Sequence, residues 1–186
     1  MADDELRLTF RAALDPPWTS LEPVLAGVQT DLPTAPAVHV TVERGGRPLL
    51  RIDVLEPEPA AHPFQDAIAW AGFVAIGHGE ELHLVSLADR TCSTIRLSGY
   101  FGQLYPLNEC LLVADADSLR RIDPGGVQRW RSGPLGVDGV LVADVEDGVI
   151  AGSGDWDPPG DWRAFRISLD DGKAMAEPSR TAKQQD

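Results

Sequence analysis

The chain has 186 residues, of which 43% are hydrophobic and 24% charged, and its 18 glycines and 15 prolines are typical of a folded, turn-rich protein. It has 29 acidic against 16 basic residues, so the net charge is -13, a field that repels phosphate backbones. No apolar run approaches the roughly 20 residues of a transmembrane helix, and the N terminus lacks the basic and apolar regions of a signal peptide. We therefore expect a soluble, cytoplasmic protein without a nucleic-acid or membrane partner.

The first 60 residues carry three predicted strands. LRLTFRA (6–12) alternates apolar and polar residues with period two, and AVHVTVERGGRPLLRIDVL (37–55) contains two strands around a Gly-Gly hairpin turn. A helix over DDELRLTFRAAL, capped by Asp3 or Asp4, is the alternative for the first strand.

Two connections separate these predicted strands from each other and from the rest of the chain. The Pro-rich stretch 16–37 has room for one short helix near Ser20 to Val28, and EPEPAAHP (56–63) is interpreted as an ordered linker.

A repeat dominates the remainder. FVAIGHG (73–79), LLVADAD (111–117) and VIAGSGD (149–155) each begin 38 residues after the one before. Each has a short apolar run upstream and another downstream, separated by Asp and Gly turns, which predicts consecutive antiparallel strands. A fourth run completes two of the repeats, as CSTIRL (92–97) and VQRWRS (127–132), whereas the last repeat keeps only KAM (173–175).

A four-stranded meander repeated at about 38 residues is close to the length of a β-propeller blade. IDPGGVQRW (122–130) and ISLDDGKAM (167–175) resemble the strand, turn and final strand of quinoprotein-type propeller repeats, in which a Gly-containing turn leads into an outer strand. The resemblance covers residues 66–175. It implies a fold and no activity, because the cofactor-contacting positions of that family are not identifiable here.

Three blades do not close a ring, so the N-terminal strands must contribute. The sequence predicts an all-β fold of antiparallel four-stranded meander repeats, propeller-like, with repeats at 66–102, 103–138 and 139–176 and a partial fourth unit from residues 1–60. We expect residues 1–176 to form a single domain and residues 177–186 a flexible tail. Either the N-terminal strands complete a small propeller, or the meanders form an open array whose last edge is covered by the N-terminal arm or a partner.

The stretch GSGDWDPPGDW (152–162) is a widened hairpin in the third repeat. Its aspartates suggest a calcium loop, but a proline stands at the fifth position and Arg166 at the twelfth, where calcium loops have ligands. The sequence favours a rigid turn with at least one of its tryptophans packed against its own blade, and a rigid aromatic and acidic loop is also a candidate partner contact. The candidate contact residues are Asp155, Trp156, Asp157, Asp161 and Trp162.

Two further groups carry candidate chemistry. His78 and His83 flank a hairpin with two glutamates, so a metal or an acid–base pair is conceivable, although the pattern favours a solvated polar turn. Tyr100, Phe101 and Tyr105 lie among glycines and form either core packing between blades or an exposed aromatic patch.

No catalytic signature is present: the chain lacks a G-x-S-x-G elbow, a phosphate-binding Gly loop and a Cys-His constellation. The leading hypothesis is a non-enzymatic protein-binding module without a cofactor, monomeric or homodimeric, such as an immunity or inhibitor protein for a basic partner. The alternative is a small-molecule or metal site, with or without enzymatic activity, where repeats converge, with His78, His83, Asp155 and Asp157 as first candidates.

Overall fold

The chain is all-β in a computed structural model that describes residues 5–27, 35–56 and 64–175. The strands of the described residues form four sheets, numbered here in chain order. The first sheet contains β1 (Leu6–Arg11), β2 (Pro23–Ala26), β3 (Pro36–Arg44) and β4 (Arg47–Leu55), and the second contains β5 (Gln65–Trp70), β6 (Phe73–His78), β7 (Glu81–Ser86) and β8 (Cys92–Arg96). The third contains β9 (Phe101–Pro106), β10 (Leu111–Asp115), β11 (Leu119–Ile122) and β12 (Gln128–Arg131), and the fourth β13 (Val140–Glu146), β14 (Val149–Asp155) and β15 (Trp162–Ser168).

The second, third and fourth sheets are antiparallel meanders, as the repeat predicts. Phe73, Leu111 and Val149, which are 38 residues apart in sequence, each begin the second strand of a sheet. The fourth strand of the last sheet is reduced to one bridge between Ile167 and Ala174, which matches the short KAM remnant.

The first sheet departs from a meander, because its strand order is β1-β3-β4-β2 and β2 pairs with β4 in parallel. The strand prediction for residues 6–12 is confirmed, and the helical alternative is wrong. The helix expected near Ser20 to Val28 is also wrong: a 3-10 turn at Trp18–Ser20 leads into β2. Pairing with the open edge of β4 outweighs local preference, since Val24 and Ala26 alternate into the core. The linker at 57–63 and the tail at 177–186 lie outside the described residues.

The core consists of three apolar layers, one between each pair of adjacent sheets. Strand alternation sends successive residues to opposite layers: Ile76 on β6 packs toward the first sheet, whereas its neighbour Ala75 packs toward the third. Likewise Val113 faces the second sheet and Leu112 the fourth. The second and third sheets are therefore covered on both faces.

The four sheets stack in chain order around their inner strands, because contacts link β1 to β5, β5 to β9 and β9 to β13. In the described part of the chain, no comparably extensive contact joins the fourth sheet to the first. The arrangement is propeller-like, and these contacts form an open arc. None of the described segments is a helix able to cross a membrane.

Candidate functional site

The starts of β5, β9 and β13 surround a recess of about 430 Å³ at one end of the stack. Because each inner strand begins next to the hairpin of the neighbouring sheet, side chains from three sheets meet there. We call this site the aromatic–acidic recess and define it by Phe64, Asp66, Tyr100, Asp138 and Trp162, which all line it.

Three aromatic rings, those of Phe64, Tyr100 and Trp162, line the recess. Phe64 stacks on Tyr100 with ring centroids 5.7 Å apart and an interplanar angle of 29°. Gly139 lies beneath Trp162 with a φ of 139°, and a Cβ there would lie 3.3 Å from the indole and 3.8 Å from the Tyr100 hydroxyl. Glycine at this position therefore lets the backbone approach both rings.

Two of the recess carboxylates, Asp66 and Asp138, have no basic partner among the described residues. The Tyr100 hydroxyl donates to Asp138 Oδ1 at 3.0 Å. Burial and this hydrogen bond raise the pKa of Tyr100 to about 12, so its hydroxyl is neutral near pH 7. Among the described residues, no lysine or arginine lines the recess or forms an ion pair with Asp66 or Asp138.

Asp155 adds a further negative charge beside the recess. The residue is only 5% exposed, and its Oδ1 is buried without a hydrogen-bond partner among the described residues. Its Oδ2 accepts from the Gly160 N–H at 3.3 Å, and its own N–H donates to the Gly139 carbonyl at 3.0 Å. A buried carboxylate without full hydrogen bonding is costly, and a nearby cation would offset that cost.

Asp115 also lines the recess, but its carboxylate is used in hydrogen bonds within the protein. The carboxylate is fully buried and accepts hydrogen bonds from Ser98 Oγ at 2.8 Å, Ser118 Oγ at 2.7 Å and Arg120 Nε at 3.3 Å. Burial alone would raise the pKa of Asp115, but the hydrogen bonds from Ser118 and Ser98 outweigh it and lower the pKa below its usual value. Asp115 therefore joins the β8–β9 connection to the β10–β11 hairpin, and its carboxylate already has hydrogen-bond partners.

The predicted wide hairpin lies next to the recess. Six residues, 156–161, join β14 to β15, compared with the two that join β6 to β7. The Trp156 N–H donates to the Asp161 carbonyl at 3.1 Å, which closes the loop. Asp157 is exposed at its tip.

The expectation that one of the two tryptophans packs well against its own blade is wrong. Trp156 is 36% and Trp162 44% exposed. The physical reason is that the hairpin extends past the end of β14 and β15 and no sheet follows the fourth in the described chain. Trp156 instead lies under the Arg163 guanidinium, 5.8 Å from the ring centroid, and Arg163 also pairs with Asp161.

The three aromatic candidates at 100–105 separate into different environments. Phe101 is buried in the layer between the second and third sheets, so the prediction of an exposed aromatic patch is wrong for this residue. Tyr105 is half-buried, and its hydroxyl accepts from the Val142 N–H at 3.1 Å and donates to Gln103 at 3.1 Å. Only Tyr100 contributes to the recess.

His78 and His83 lie between the first and second sheets, away from the hairpin aspartates of the fourth. His78 Nδ1 is 3.7 Å from Glu56, whereas His83 Nδ1 lies 3.0 Å from the Thr94 hydroxyl. The expectation of a solvated turn is wrong for His83. This residue is 1% exposed, and burial lowers the pKa of its imidazole to about 4. The described residues contain no group of three His, Cys, Asp or Glu side chains placed to hold a metal ion.

Sequence reasoning missed one polar cluster, on the first sheet. Asp53 is buried and accepts from Arg51 Nε at 2.9 Å and Nη2 at 2.7 Å, while His39 Nδ1 lies 2.7 Å from its Oδ1. The alternation of polar residues along β3 and β4 is the signal that places His39 and Asp53 on one face. Both carboxylate oxygens have partners, so the cluster stabilises the sheet.

Neither a protein-family model nor a curated protein matches the chain. The quinoprotein-type character of the repeats stays a prediction. What the fold defines is an all-β, propeller-like protein of four stacked sheets, and the chemistry of the recess is the basis for a functional proposal.

Proposed function

We propose that the protein is a non-enzymatic binding module that holds a basic protein at the aromatic–acidic recess. The observation that carries this proposal is the combination of aromatic rings with two carboxylates that have no basic partner among the described residues. It occurs in a chain of net charge -13, whose field attracts cationic partners.

The surroundings of the recess suit a protein interface. Trp and Tyr are enriched among residues that dominate binding energies. Leu141 in the lining of the recess is exposed, as are Val137, which precedes the lining residue Asp138, and Trp156 on the wide hairpin. The recess side chains lie at or beside strand ends, so little conformational entropy is lost when a partner docks. Exposed apolar groups around an acidic centre favour a basic partner with an apolar rim.

Charge complementarity favours one biological role within this class. An acidic protein that covers a basic surface can inhibit a toxin or nuclease whose active face is cationic, since opposite potentials accelerate association and exclude other partners. We propose an immunity or inhibitor role of this kind.

A small-molecule or metal site built from His78, His83, Asp155 and Asp157 is the weaker alternative. It requires the four side chains in one pocket, whereas the histidines lie between the first and second sheets and the aspartates at the hairpin of the fourth. The recess lies at that hairpin and contains neither histidine among its described lining residues.

The test is site-specific photocrosslinking with the full-length chain in its native host. p-Benzoylphenylalanine replaces Trp156, beside the recess, or in a control Leu25, which is exposed on the outer strand β2. We expect a basic protein to crosslink at position 156 and not at position 25. That protein is then purified and its affinity measured for the wild-type chain and for Trp162→Ala/Asp138→Asn.

The double substitution should weaken binding about a hundredfold, as expected when two dominant contacts are lost, and Leu25→Ala should leave the affinity unchanged. Raising the ionic strength should slow association, because the steering is electrostatic. Equal crosslinking at both positions, no crosslinked protein, or an affinity insensitive to the double substitution would contradict the proposal.

A further inference from the structure

We infer that the aromatic–acidic recess receives the guanidinium group of a single arginine side chain presented by the basic partner. This inference rests on the proposed function and names the group that the site recognises. It follows from the geometry of the rings, from the charge balance of the lining, and from an arginine site that the chain already forms within itself.

The internal arginine site is on the neighbouring hairpin. The Arg163 guanidinium carbon lies 5.8 Å from the centroid of the Trp156 ring, and its Nε donates to Asp161 at 2.9 Å. A tryptophan face and an aspartate together hold this arginine, as cation–π attraction and charge-assisted hydrogen bonding predict.

The recess contains the same two components without the cation. Trp162 is exposed, and within the described ranges no arginine or lysine lies over its ring. Asp138 and Asp66 supply carboxylates from the starts of two different sheets. An arginine entering here would find an aromatic face and acceptors on more than one side.

The negative charge near the recess exceeds what the described chain compensates. Asp115 is offset by Arg120, but Asp66 and Asp138 have no ion pair among the described residues. Asp155, whose Oδ1 has no hydrogen-bond partner in the described part of the chain, is joined through its backbone to Gly139 in the recess lining. A bound cation would make favourable electrostatic contacts with these acidic side chains.

Arginine fits better than lysine because of its shape. The guanidinium is planar, stacks on aromatic faces and carries five donors in a fixed fork, whereas the lysine ammonium is a compact and strongly hydrated charge. Carboxylates on two sheets and a flat indole require a group that can donate in several directions while it stacks. A volume of about 430 Å³ is ample for one such side chain.

The test measures the binding of three peptides to the full-length chain by two-dimensional amide and indole NMR. The peptides are acetyl-Gly-Gly-X-Gly-Gly-amide, with X as arginine, lysine or norleucine. The arginine peptide should shift the Trp162 indole N–H, identified by its loss in Trp162→Phe, together with the Gly139 amide. We expect a dissociation constant on the order of 1 mM for one isolated side chain. The lysine peptide should bind about fivefold more weakly, and the norleucine peptide should give no saturable shift.

Asp138→Asn is the informative variant, because its amide oxygen still accepts from the Tyr100 hydroxyl while the charge is lost. It should weaken arginine binding about fivefold, and Trp162→Ala about tenfold. Asp157→Asn removes an equal charge at the hairpin tip, outside the described lining, and should leave the affinity within about twofold.

Equal binding of the lysine and arginine peptides would overturn the inference, as would shifts that map away from the recess or an equal effect of Asp138→Asn and Asp157→Asn. The peptide comparison on the wild-type chain decides the matter even if a variant misfolds. A partner protein captured through the recess without arginine-peptide binding would refute this inference alone. Peptide binding without a captured protein would refute the proposed function alone.

Discussion

Gly77 and Phe101 show how closely the sheets approach each other at the scale of single residues. A Cβ built on Gly77 would lie 2.1 Å from a Phe101 ring carbon, so the ring occupies the space that any other residue would fill. Phe101 is the first residue of β9 and is buried between the second and third sheets. Its neighbour Tyr100 lines the recess, so this contact also positions one wall residue of the recess.

Gly77→Ala should lower the free energy of unfolding by about 3 kcal/mol, because the new methyl group forces the Phe101 ring out of a close-packed layer. The measurement is urea denaturation followed by tryptophan fluorescence. Gly133→Ala is the matched control, since no atom lies within 4 Å of a Cβ at that position, and it should change stability by less than about 0.5 kcal/mol. In the double variant Gly77→Ala/Phe101→Leu the two effects should be less than additive. A Gly77→Ala cost as small as that of the control would contradict this packing.

At the scale of an element, β7 places a histidine inside an apolar layer. Alternation along the strand directs Leu82 and Leu84 toward the third sheet and Val85 toward the first. His83 lies on the same side as Val85, opposite Ile76 on β6, and has the Thr94 hydroxyl as its hydrogen-bond partner. The strand period therefore buries an ionisable ring in a layer that disfavours its charged form.

This burial predicts a pH dependence of stability with a defined sign. The pKa of His83 is about 4 in the folded protein and about 6.5 in an unfolded chain. Between these values the unfolded chain binds a proton that the folded chain does not, so the free energy of unfolding should fall by roughly 3 kcal/mol as the pH drops from 6.5 to 4. Chemical denaturation at several pH values measures this slope.

His83→Gln should remove most of that slope, whereas Thr94→Val should keep it and cost about 1 kcal/mol at every pH through the lost hydrogen bond. If the free energy of unfolding changed with pH equally in the wild type and in His83→Gln between pH 4 and 6.5, the burial of His83 would not be the cause of the pH dependence.

At the scale of the whole molecule, the open stack makes its sheets unequal. Among the described residues, the second and third sheets pack on both faces, whereas the fourth has an apolar layer only against the third. Hydrogen bonds from Trp130 Nε1 and Arg121 Nη1 to the Leu169 carbonyl, at 2.9 and 2.8 Å, add to that contact. Local stability follows the number of buried contacts. The sheet that carries the wide hairpin is thus held on one side only.

Hydrogen exchange followed by mass spectrometry should show this difference. Peptides covering β13–β15 should exchange about tenfold faster than those covering β6 and β10. Trp130→Phe removes the indole donor at the third–fourth interface and should accelerate exchange in β13–β15 while leaving β6 unchanged. Uniform protection across the four sheets would instead indicate a closed and equally supported arrangement.

Much of the strand order was determined by sequence alone, because its signals are local. Each alternating apolar stretch and each Asp or Gly turn is recognisable within about ten residues of sequence. The sequence therefore predicts the strands of the last three sheets, the widened hairpin and the truncated final strand. The same signals place His39 and Asp53 on one face.

Tertiary structure decided the features that depend on distant partners. β2 forms because the edge of β4 accepts it in parallel, about 28 residues away in the chain, and no local pattern encodes that pairing. His83 is buried because another sheet covers its face. Phe64, Tyr100, Asp138 and Trp162 come from four separate segments and meet only because the inner strands of three sheets begin at one end of the stack. The sequence determined the strands of the last three sheets, and the packing of the sheets against each other decided the site, since a recess between sheets is a property of that packing.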